Sequence, residues 1–199
     1  MPSGGLHFSR AKMQEDSFAN EESVCELVDE ITRYLKEQRS GDTNKNWTTA
    51  IWRFFRKFAE NKRWKLYPES QPYKGEYLVD FILFEDDYGP RIACESQWSH
   101  WRRDPKESID WAFDKLRGVK ADVKLLLYEW ERKPDDGNPD EPIRKIFTSY
   151  LSNNALITNS EAFAFIQYDG DTPYAYWWKP TRSGRHSEYE VNFKKIKLR

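Results

Sequence analysis

Two acidic residues in the first half of the chain are the strongest candidates for chemistry. Asp80 and Glu95 each interrupt a short apolar run that is typical of a strand. A carboxylate in such surroundings is costly unless a cation, a proton or an arginine compensates it. Oxygen ligands of this kind suit Mg²⁺ or Mn²⁺ rather than Zn²⁺. An ion held there could activate a water molecule and polarise a phosphate group.

The pairing of two predicted strands decides whether these acids meet. Asp80 belongs to the first strand of a predicted hairpin and Glu95 to the second, with a polar turn at residues 86–90 between them. In the simplest register Glu85 lies opposite Pro90, which places Asp80 opposite Glu95. Directly opposed residues have Cβ atoms about 4.5–5.5 Å apart. A slip of one residue would move the two acids to opposite faces of the sheet.

The remaining periodicity predicts an α/β protein built around this hairpin. Residues 1–20 are polar and aperiodic, so we expect a flexible N-terminal arm followed by a single domain over residues 21–199. Apolar residues at helical spacing indicate helices, and short apolar or alternating runs indicate strands. The predicted helices are Glu21–Arg39, Trp47–Asn61, Pro105–Lys120 and Ile143–Leu151, and the predicted strands are Trp64–Tyr67, Glu76–Glu85, Arg91–Trp98, Val123–Trp130, Ala162–Tyr168, Tyr174–Lys179 and Tyr189–Leu198.

The composition restricts the class of protein. The formal net charge is -1, which excludes a globally basic nucleic-acid coat, so any nucleic-acid contact needs a local basic patch. Two cysteines and three scattered histidines make neither a disulfide framework nor a metal cluster. No segment approaches the roughly 18 apolar residues of a membrane span, and no apolar signal segment is found at the N-terminus. We therefore expect a cytoplasmic protein without a membrane partner.

The order of the elements and three of the residues resemble the PD-(D/E)XK nuclease superfamily. The strand Tyr77–Phe81 is followed by a turn, by the strand Ala93–Trp98, and then by a helix and an apolar strand. The family motif has an Asp on one strand and Glu-X-Lys on the next. In this sequence Asp80 matches the Asp, Glu95 the Glu and Gln97 the Lys position.

This resemblance covers roughly residues 47–130 and implies both a fold and an activity. The fold would be a restriction-endonuclease-like αβββαβ core, a central mixed sheet flanked by helices, with additional C-terminal strands. The activity would be metal-dependent hydrolysis of phosphodiester bonds in DNA, or in RNA. Mg²⁺ or Mn²⁺ would be held by Asp80, Glu95 and the backbone carbonyl of Ser96, and Gln97 would position the attacking water.

The glutamine is the main departure from the family pattern. The motif lysine orients water and supplies positive charge, whereas Gln97 can hydrogen-bond water but carries no charge. Val79 also stands where proline is common in the family. Lys115 or Lys120, from the following helix, is a candidate to reach the site from a different position. The alternative is that both are ordinary exposed helix lysines.

Two further acids are candidates for the edge of the site. Glu76 precedes Asp80 by four residues and would share its face of the strand. Glu60 lies late in the second helix, an element from which the family sometimes adds an acid. The alternative for Glu76 is a surface residue at the start of a strand.

Two basic segments are candidates for nucleic-acid binding. Trp101, Arg102 and Arg103 follow the second hairpin strand, and an aromatic ring beside guanidinium groups suits stacking on bases and holding phosphates. The alternative is a hydrophobic anchor with two solvated arginines. The C-terminal third is locally basic, and we predict phosphate contacts by Lys194, Lys195 and Lys197. An edge strand whose lysines prevent aggregation is the alternative there.

Three functions remain open from the sequence. The first is an active metal-dependent endonuclease. The second is a catalytically inactive nuclease fold that binds nucleic acid or protein, with Gln97 marking the loss of the site. The third is an interaction or scaffold protein in which an arginine, such as Arg91 or Arg102, compensates the two acids. A homodimer is compatible with all three.

Overall fold

The chain folds as an α/β protein in which, among the residues described, three helices pack against a seven-stranded mixed sheet. The computed structural model describes residues 18–38, 44–70, 78–98, 105–130, 160–169, 172–182, 189–190 and 194–198. The helix predicted near Ile143–Leu151 lies outside these residues. Within the described segments, none of the helices has the length and apolar content of a membrane-spanning segment.

The central strands of the large sheet are parallel and the outer ones antiparallel. The order of the large sheet is β1-β2-β3-β4-β5-β6-β9, with β3, β4 and β5 mutually parallel. The helices are α1 (Glu21–Glu37), α2 (Asn44–Lys62) and α3 (Pro105–Gly118), and the strands are β1 (Lys65–Tyr67), β2 (Phe81–Glu85), β3 (Gly89–Gln97), β4 (Val123–Glu129), β5 (Ala162–Asp169), β6 (Thr172–Trp178), β7 (Thr181–Arg182), β8 (Tyr189–Glu190) and β9 (Lys194–Ile196).

The helices divide between the two faces of the sheet. α1 and α2 bury one face, on which they meet Ile92 and Cys94 of β3. α3 packs on the other face, where it meets Ala93. Because side chains alternate along a strand, Glu95 and Gln97 share the α3 face with Ala93.

The last residues of the predicted N-terminal arm pack against the domain. The ring of Phe18 meets the rings of Phe58 and Trp64 edge-on, and Ala19 is fully buried. Asn20 caps α1 by accepting a 2.8 Å hydrogen bond from a backbone N–H of the first turn. These three residues therefore belong to the packed structure rather than to a flexible arm. The rest of the predicted arm lies outside the described residues.

The C-terminal strand predicted over Tyr189–Leu198 is instead two short strands. β8 pairs with β7 in a separate two-stranded sheet, whereas β9 pairs with β6 at the edge of the large sheet. The prediction of one continuous strand is therefore wrong, because the two segments take different pairing partners.

The hairpin of β2 and β3 differs from the prediction at both of its ends. Residues 78–80 are bends, so β2 begins at Phe81 and Asp80 directly precedes it rather than lying within it. At the turn, Glu85 lies opposite Gly89 and not opposite Pro90. Gly89 adopts a φ of 86°, in the left-handed region that glycine tolerates without strain, and this closes a shorter turn.

A bulge in β3 restores the predicted register beyond the turn. Phe84 lies opposite Pro90, whereas Leu83 lies opposite Ile92, so Arg91 is one extra residue in β3. The predicted pairing is therefore wrong at the turn and confirmed along the rest of β2. Without the extra residue the pairing would be displaced by one position, and the two acids would lie on opposite faces of the sheet.

Two carboxylates hold Arg91 in the bulge. Its Nε donates to Oε2 of Glu85 and its Nη1 to Oδ2 of Asp122, each at 2.6 Å. The guanidinium lies 4.3 Å from the ring centroid of Tyr88. Asp122 stands just before β4 and also accepts a hydrogen bond from the backbone of Phe18. This network joins the hairpin turn, the start of β4 and the chain before α1.

Replacing Arg91 should destabilise the fold far more than replacing an exposed arginine. Arg91→Met leaves Glu85 and Asp122 without their buried cation, and we expect the free energy of unfolding to fall by about 2–4 kcal/mol. Arg33→Met removes an exposed pair with Asp29 and should change that free energy by less than about 0.5 kcal/mol. Urea unfolding of both variants at neutral pH measures the difference. Equal stabilities would show that Arg91 does not anchor the bulge.

Candidate active site

Three elements bring a lysine beside the two acids. Asp80 precedes β2, Glu95 lies in β3 on the face covered by α3, and Lys115 belongs to α3. The residues that dock α3 on the sheet are all buried and recur at helical spacing: Ile109, Ala112, Phe113 and Leu116. Burial of this stripe fixes the helix over β3 and directs Lys115 to the edge of the contact.

The two acids are linked through the backbone of each other's strand. Oδ2 of Asp80 accepts hydrogen bonds from the backbone N of Ser96 at 2.8 Å and from its Oγ at 2.7 Å. In return the backbone N of Asp80 donates to Oε2 of Glu95 at 3.0 Å. These reciprocal bonds continue the hairpin beyond the last ladder pair and satisfy backbone groups left open where β2 begins.

Lys115 supplies the positive charge at the site. Its Nζ donates a hydrogen bond to Oε1 of Glu95, and the ammonium lies 4.0 Å from the ring centroid of Trp111. Of the two helix lysines considered from the sequence, Lys115 is the one brought to Glu95, whereas Lys120 follows α3 and is exposed. Trp111 is not among the residues that the sequence predicts at the site, although its spacing of four residues from Lys115 on a predicted helix indicates that the two side chains are neighbours.

Arginine does not compensate the acids in the way that the scaffold hypothesis expected of Arg91. That residue is engaged by Glu85 and Asp122, at the turn end of the hairpin. Among the residues described, Lys115 is the cation that contacts Glu95. Arg102, the other arginine considered, lies outside the described residues.

Burial raises the pKa values of both acids. Removal from water raises the pKa of Glu95 to about 8, with a further contribution from the nearby charge of Asp80, and the Lys115 ammonium offsets this only in part. Burial also raises the pKa of Asp80, against the hydrogen bonds from Ser96 and the charge of Lys115. Among the residues described, the one lysine therefore offsets the burial of the two carboxyl groups only in part.

The donor set suits a hard cation. Three of the four carboxylate oxygens accept hydrogen bonds, whereas Oδ1 of Asp80 accepts none from any residue described. A strand residue directs its N–H and C=O to the same side, so the carbonyl of Ser96 lies on the side of β3 where Asp80 lies. Within the described segments no group of three or more acidic, histidine or cysteine side chains is placed to hold an ion. An ion bound here would need backbone and water oxygens, which Mg²⁺ commonly uses.

Gln97, at the position of the motif lysine, is half-buried at the end of β3. It lies in register with Tyr128 of β4, whose hydroxyl donates to Oε1 of the buried Gln167 of β5 at 3.1 Å. A row of polar side chains thus crosses the carboxyl ends of the three parallel strands beside the acids. Ligands of open α/β sheets bind at this end of the strands. The role of Gln97 in positioning water stays a prediction.

Glu60 does not approach the acids. It lies on α2, on the opposite face of the sheet, and its exposed carboxylate pairs with Arg56 at 3.2 Å. A short turn leads from α2 to β1, whose Lys65 lies opposite Phe84 at the far end of β2. The other residues predicted near the site lie outside the described residues: Glu76, Trp101, Arg102 and Arg103.

The predicted phosphate-binding lysines are distributed over two faces. Lys195 lies on the α3 face, with its ammonium 5.8 Å from the ring centroid of Tyr176. Lys194 lies on the opposite face and pairs with Glu21 of α1 at 2.7 Å. Lys197 follows β9 and is exposed. Of the two lysines within β9, Lys195 lies on the same face of the sheet as Glu95 and Lys194 on the opposite face.

The comparisons with known proteins do not assign the chain to a group. No protein-family profile matches it, and no curated protein sequence matches it. The assignment of a function therefore rests on the site itself.

The raised pKa of Glu95 gives the site a pH signature in the absence of metal. The carboxyl group of Glu95 has a pKa of about 4.3 in the unfolded chain and of about 8 in the folded protein. Between these two pH values the folded state holds a proton that the unfolded state has lost, so the free energy of unfolding falls as pH rises. Glu95→Gln removes this titration while keeping an acceptor for Lys115. In EDTA, the stability of the variant relative to wild type should increase from pH 5 to pH 8, by at most about 1.4 kcal/mol per pH unit.

Urea unfolding across this range measures the effect. Glu60→Gln, at an exposed position away from the site, controls for the general loss of a negative charge. If the difference in unfolding free energy between Glu95→Gln and wild type stays constant with pH, the pKa of Glu95 is not raised in the folded protein.

Proposed function

We propose that this protein is a metal-dependent nuclease with a restriction-endonuclease-like fold, in which Lys115 takes the place of the motif lysine. The observation that carries the proposal is the contact of Lys115 Nζ with the carboxylate of Glu95. It brings an ammonium to the two acids although residue 97 is a glutamine. Two carboxyl groups and a cation at the end of a hairpin are groups that phosphodiester hydrolysis can use.

The order of the elements supports this proposal. α2, β1, β2, β3, α3 and β4 follow one another as αβββαβ, and β3 and β4 are parallel. The acids lie on the hairpin of this core, and the lysine lies on the helix that follows it. This is the order that the resemblance to the nuclease superfamily implies.

Each residue has a role that its contacts suit. Asp80, Glu95 and the carbonyl of Ser96 would hold Mg²⁺ or Mn²⁺, which supplies charge neutralisation and an activated water. Lys115 would stabilise the negative charge that develops on the phosphate oxygens, since its ammonium is already placed at the acids. Gln97 would hydrogen-bond the attacking water in an in-line displacement, a task for which an uncharged amide suffices.

A catalytically inactive nuclease fold that binds nucleic acid or protein is the second candidate. The observation in its favour is that the acids are largely satisfied within the protein, by the backbone of Asp80, by Ser96 and by Lys115. In this alternative Lys115 is a structural counterion, and the reciprocal bonds serve to lock the hairpin. Only the active nuclease predicts metal-dependent cutting.

Cutting of nucleic acid should require a divalent ion, both acids and Lys115. With Mg²⁺ or Mn²⁺ the wild type should cleave DNA or RNA. EDTA should abolish cleavage because it removes the ion, and Asp80→Asn or Glu95→Gln should abolish it because the ion loses a carboxylate ligand. Lys115→Met should lower the rate by about 10²–10³-fold, the usual effect of losing a group that stabilises transition-state charge. The exposed Lys120 offers a matched control, and Lys120→Met should cleave at nearly the wild-type rate. End-labelled single- and double-stranded substrates on gels give these rates.

Two outcomes separate the candidates. A wild type that cuts nothing with either ion, beside a Gln97→Lys variant that does cut, would reject the enzyme and support the inactive fold. A wild type that cuts, beside an equally active Lys115→Met variant, would keep the enzyme and remove Lys115 from its mechanism.

Nucleic-acid binding should depend on Lys195 more than on its neighbour Lys194. Glu95 and Lys195 lie in one row across the sheet, four strands apart, so about 19 Å separates their positions at the usual strand spacing. Lys195→Gln should weaken binding by a similar factor for all sequences and reduce the slope of log K against log salt by about one, because phosphate contacts carry no base information.

Lys194→Gln is the matched control, since it removes the same charge from the face where Glu21 already pairs with it. Fluorescence anisotropy at several salt concentrations measures both variants. Equal losses would place the nucleic acid away from the α3 face, and no binding at low salt would exclude nucleic acid as the substrate.

A further inference from the structure

We infer that Trp111 is the surface on which one unpaired base of the substrate stacks, next to the phosphate bound at the acids. The inference rests on the proposed function, because it takes the substrate to be nucleic acid. It adds the substrate class, a strand with an unpaired base at the site, and a residue that binds it.

The position of Trp111 connects it directly to the site. It lies one helical turn before Lys115 on α3, with its ring centroid 4.0 Å from the ammonium. The same ammonium contacts Glu95. The indole is therefore separated from the acid pair by a single side chain.

Trp111 is a large aromatic side chain on the solvent-facing side of α3, where Glu107 and Asp114 are also exposed. Its neighbours Ala112 and Phe113 are fully buried, whereas Trp111 is 51% exposed. Three large apolar side chains in the described segments are exposed: Leu78, Tyr88 and Trp111. Tyr88 lies at the hairpin turn, against Arg91.

Leu78, unlike Tyr88, lies close to the site. Leu78 precedes Asp80 by two residues, and its Cδ2 lies 3.6 Å from the place that a Cβ on Gly118 would take. Leu78 and Trp111 thus lie near α3 on the two sides of Lys115. Covering this exposed apolar surface would lower the free energy, so a bound partner is favoured beside the two acids.

A nucleotide fits this combination of groups. Side chains four residues apart on a helix have Cβ atoms about 5–6 Å apart, so the ring and the ammonium can meet the base and the phosphate of neighbouring nucleotides. Tryptophan has a large π-surface, and bases stack on such rings irrespective of their sequence. Under the proposed function the phosphate beside Lys115 is the one held with the metal ion at the acids, so the group next to it that can cover the indole is the base of a neighbouring nucleotide.

The charges along α3 indicate where the phosphates run. Glu107 is exposed one turn before Trp111, whereas Lys115 lies one turn after it. Asp114 is already paired with Arg117. The carboxylate of Glu107 therefore disfavours a phosphate on its side of Trp111, and under the proposed function the phosphate lies on the other side, at Lys115 and the metal ion that the acids would hold. A base inside a duplex cannot lie flat on the indole, so the base that stacks must be single-stranded or turned out of its helix.

The test separates stacking from charge by comparing two strands of equal length. Binding of an oligothymidylate and of an abasic deoxyribose-phosphate strand is measured by anisotropy in EDTA, where no cutting occurs. We expect the wild type to bind the thymidylate strand about 5- to 150-fold more tightly, the equivalent of one stacked base. Trp111→Ala should bring this ratio close to one while leaving affinity for the abasic strand unchanged.

Two further variants exclude trivial effects. Trp111→Phe keeps a smaller ring and should retain part of the ratio. Tyr88→Ala removes an exposed aromatic ring away from the site and should retain all of it. Since Trp111 is half exposed, unfolding in urea should show Trp111→Ala to be folded.

The outcomes distinguish this inference from the proposed function. If Trp111→Ala keeps the wild-type ratio, Trp111 is not the stacking surface, even when the protein binds and cuts nucleic acid. If the wild type binds both strands equally, no base stacks and the inference fails while the nuclease proposal stands. If neither strand binds at low salt, either in EDTA or with Mg²⁺ added, the proposed function fails and this inference fails with it.

Discussion

The buried contacts of Arg91 with Glu85 and Asp122 are the constraint on which the candidate site depends. Arg91 is the extra residue of β3, and its insertion offsets the shorter turn at Gly89. A bulge leaves backbone groups unpaired and must be held by something else. Here that support is a guanidinium taken from water and bound to two carboxylates, one on the hairpin and one before β4. Because strand faces alternate with a period of two, this support also decides which face Glu95 occupies.

The acid pair shows why one arrangement can serve stability or catalysis. The backbone of each strand is satisfied by the carboxylate of the other, which stabilises the open end of the hairpin. Burial also raises the pKa of both acids, and among the residues described the ammonium of Lys115 offsets this incompletely. A buried group in this state favours a cation, whether the protein has kept it for an ion or as a lock.

Polar and basic side chains lie around the acid pair on the α3 face of the sheet. The carboxyl ends of β3, β4 and β5 carry Gln97, Tyr128 and Gln167 in register, so the sheet is polar next to the acids and apolar beneath α3. Lys115 and Trp111 project from the helix that covers this face. Lys195 lies on the same face at the sheet edge. The path proposed for a nucleic-acid strand therefore lies on the α3 face of the sheet, away from the face covered by α1 and α2.

The sequence by itself determined most of the described helices and strands, because these depend on periodicity within short segments. The apolar stripe of α3 and the apolar runs around Asp80 and Glu95 were sufficient to place the two acids on one hairpin, although β2 begins one residue after Asp80. Only the tertiary structure decided that Lys115 and not Lys120 meets Glu95, that Glu60 lies on the opposite face, and that adjacent lysines of β9 separate. The bulge was equally hidden, since Arg91 finds one partner in Asp122, 31 residues along the chain. Each of these outcomes depends on packing between distant segments, and no local pattern encodes the position of a partner that folding brings from elsewhere.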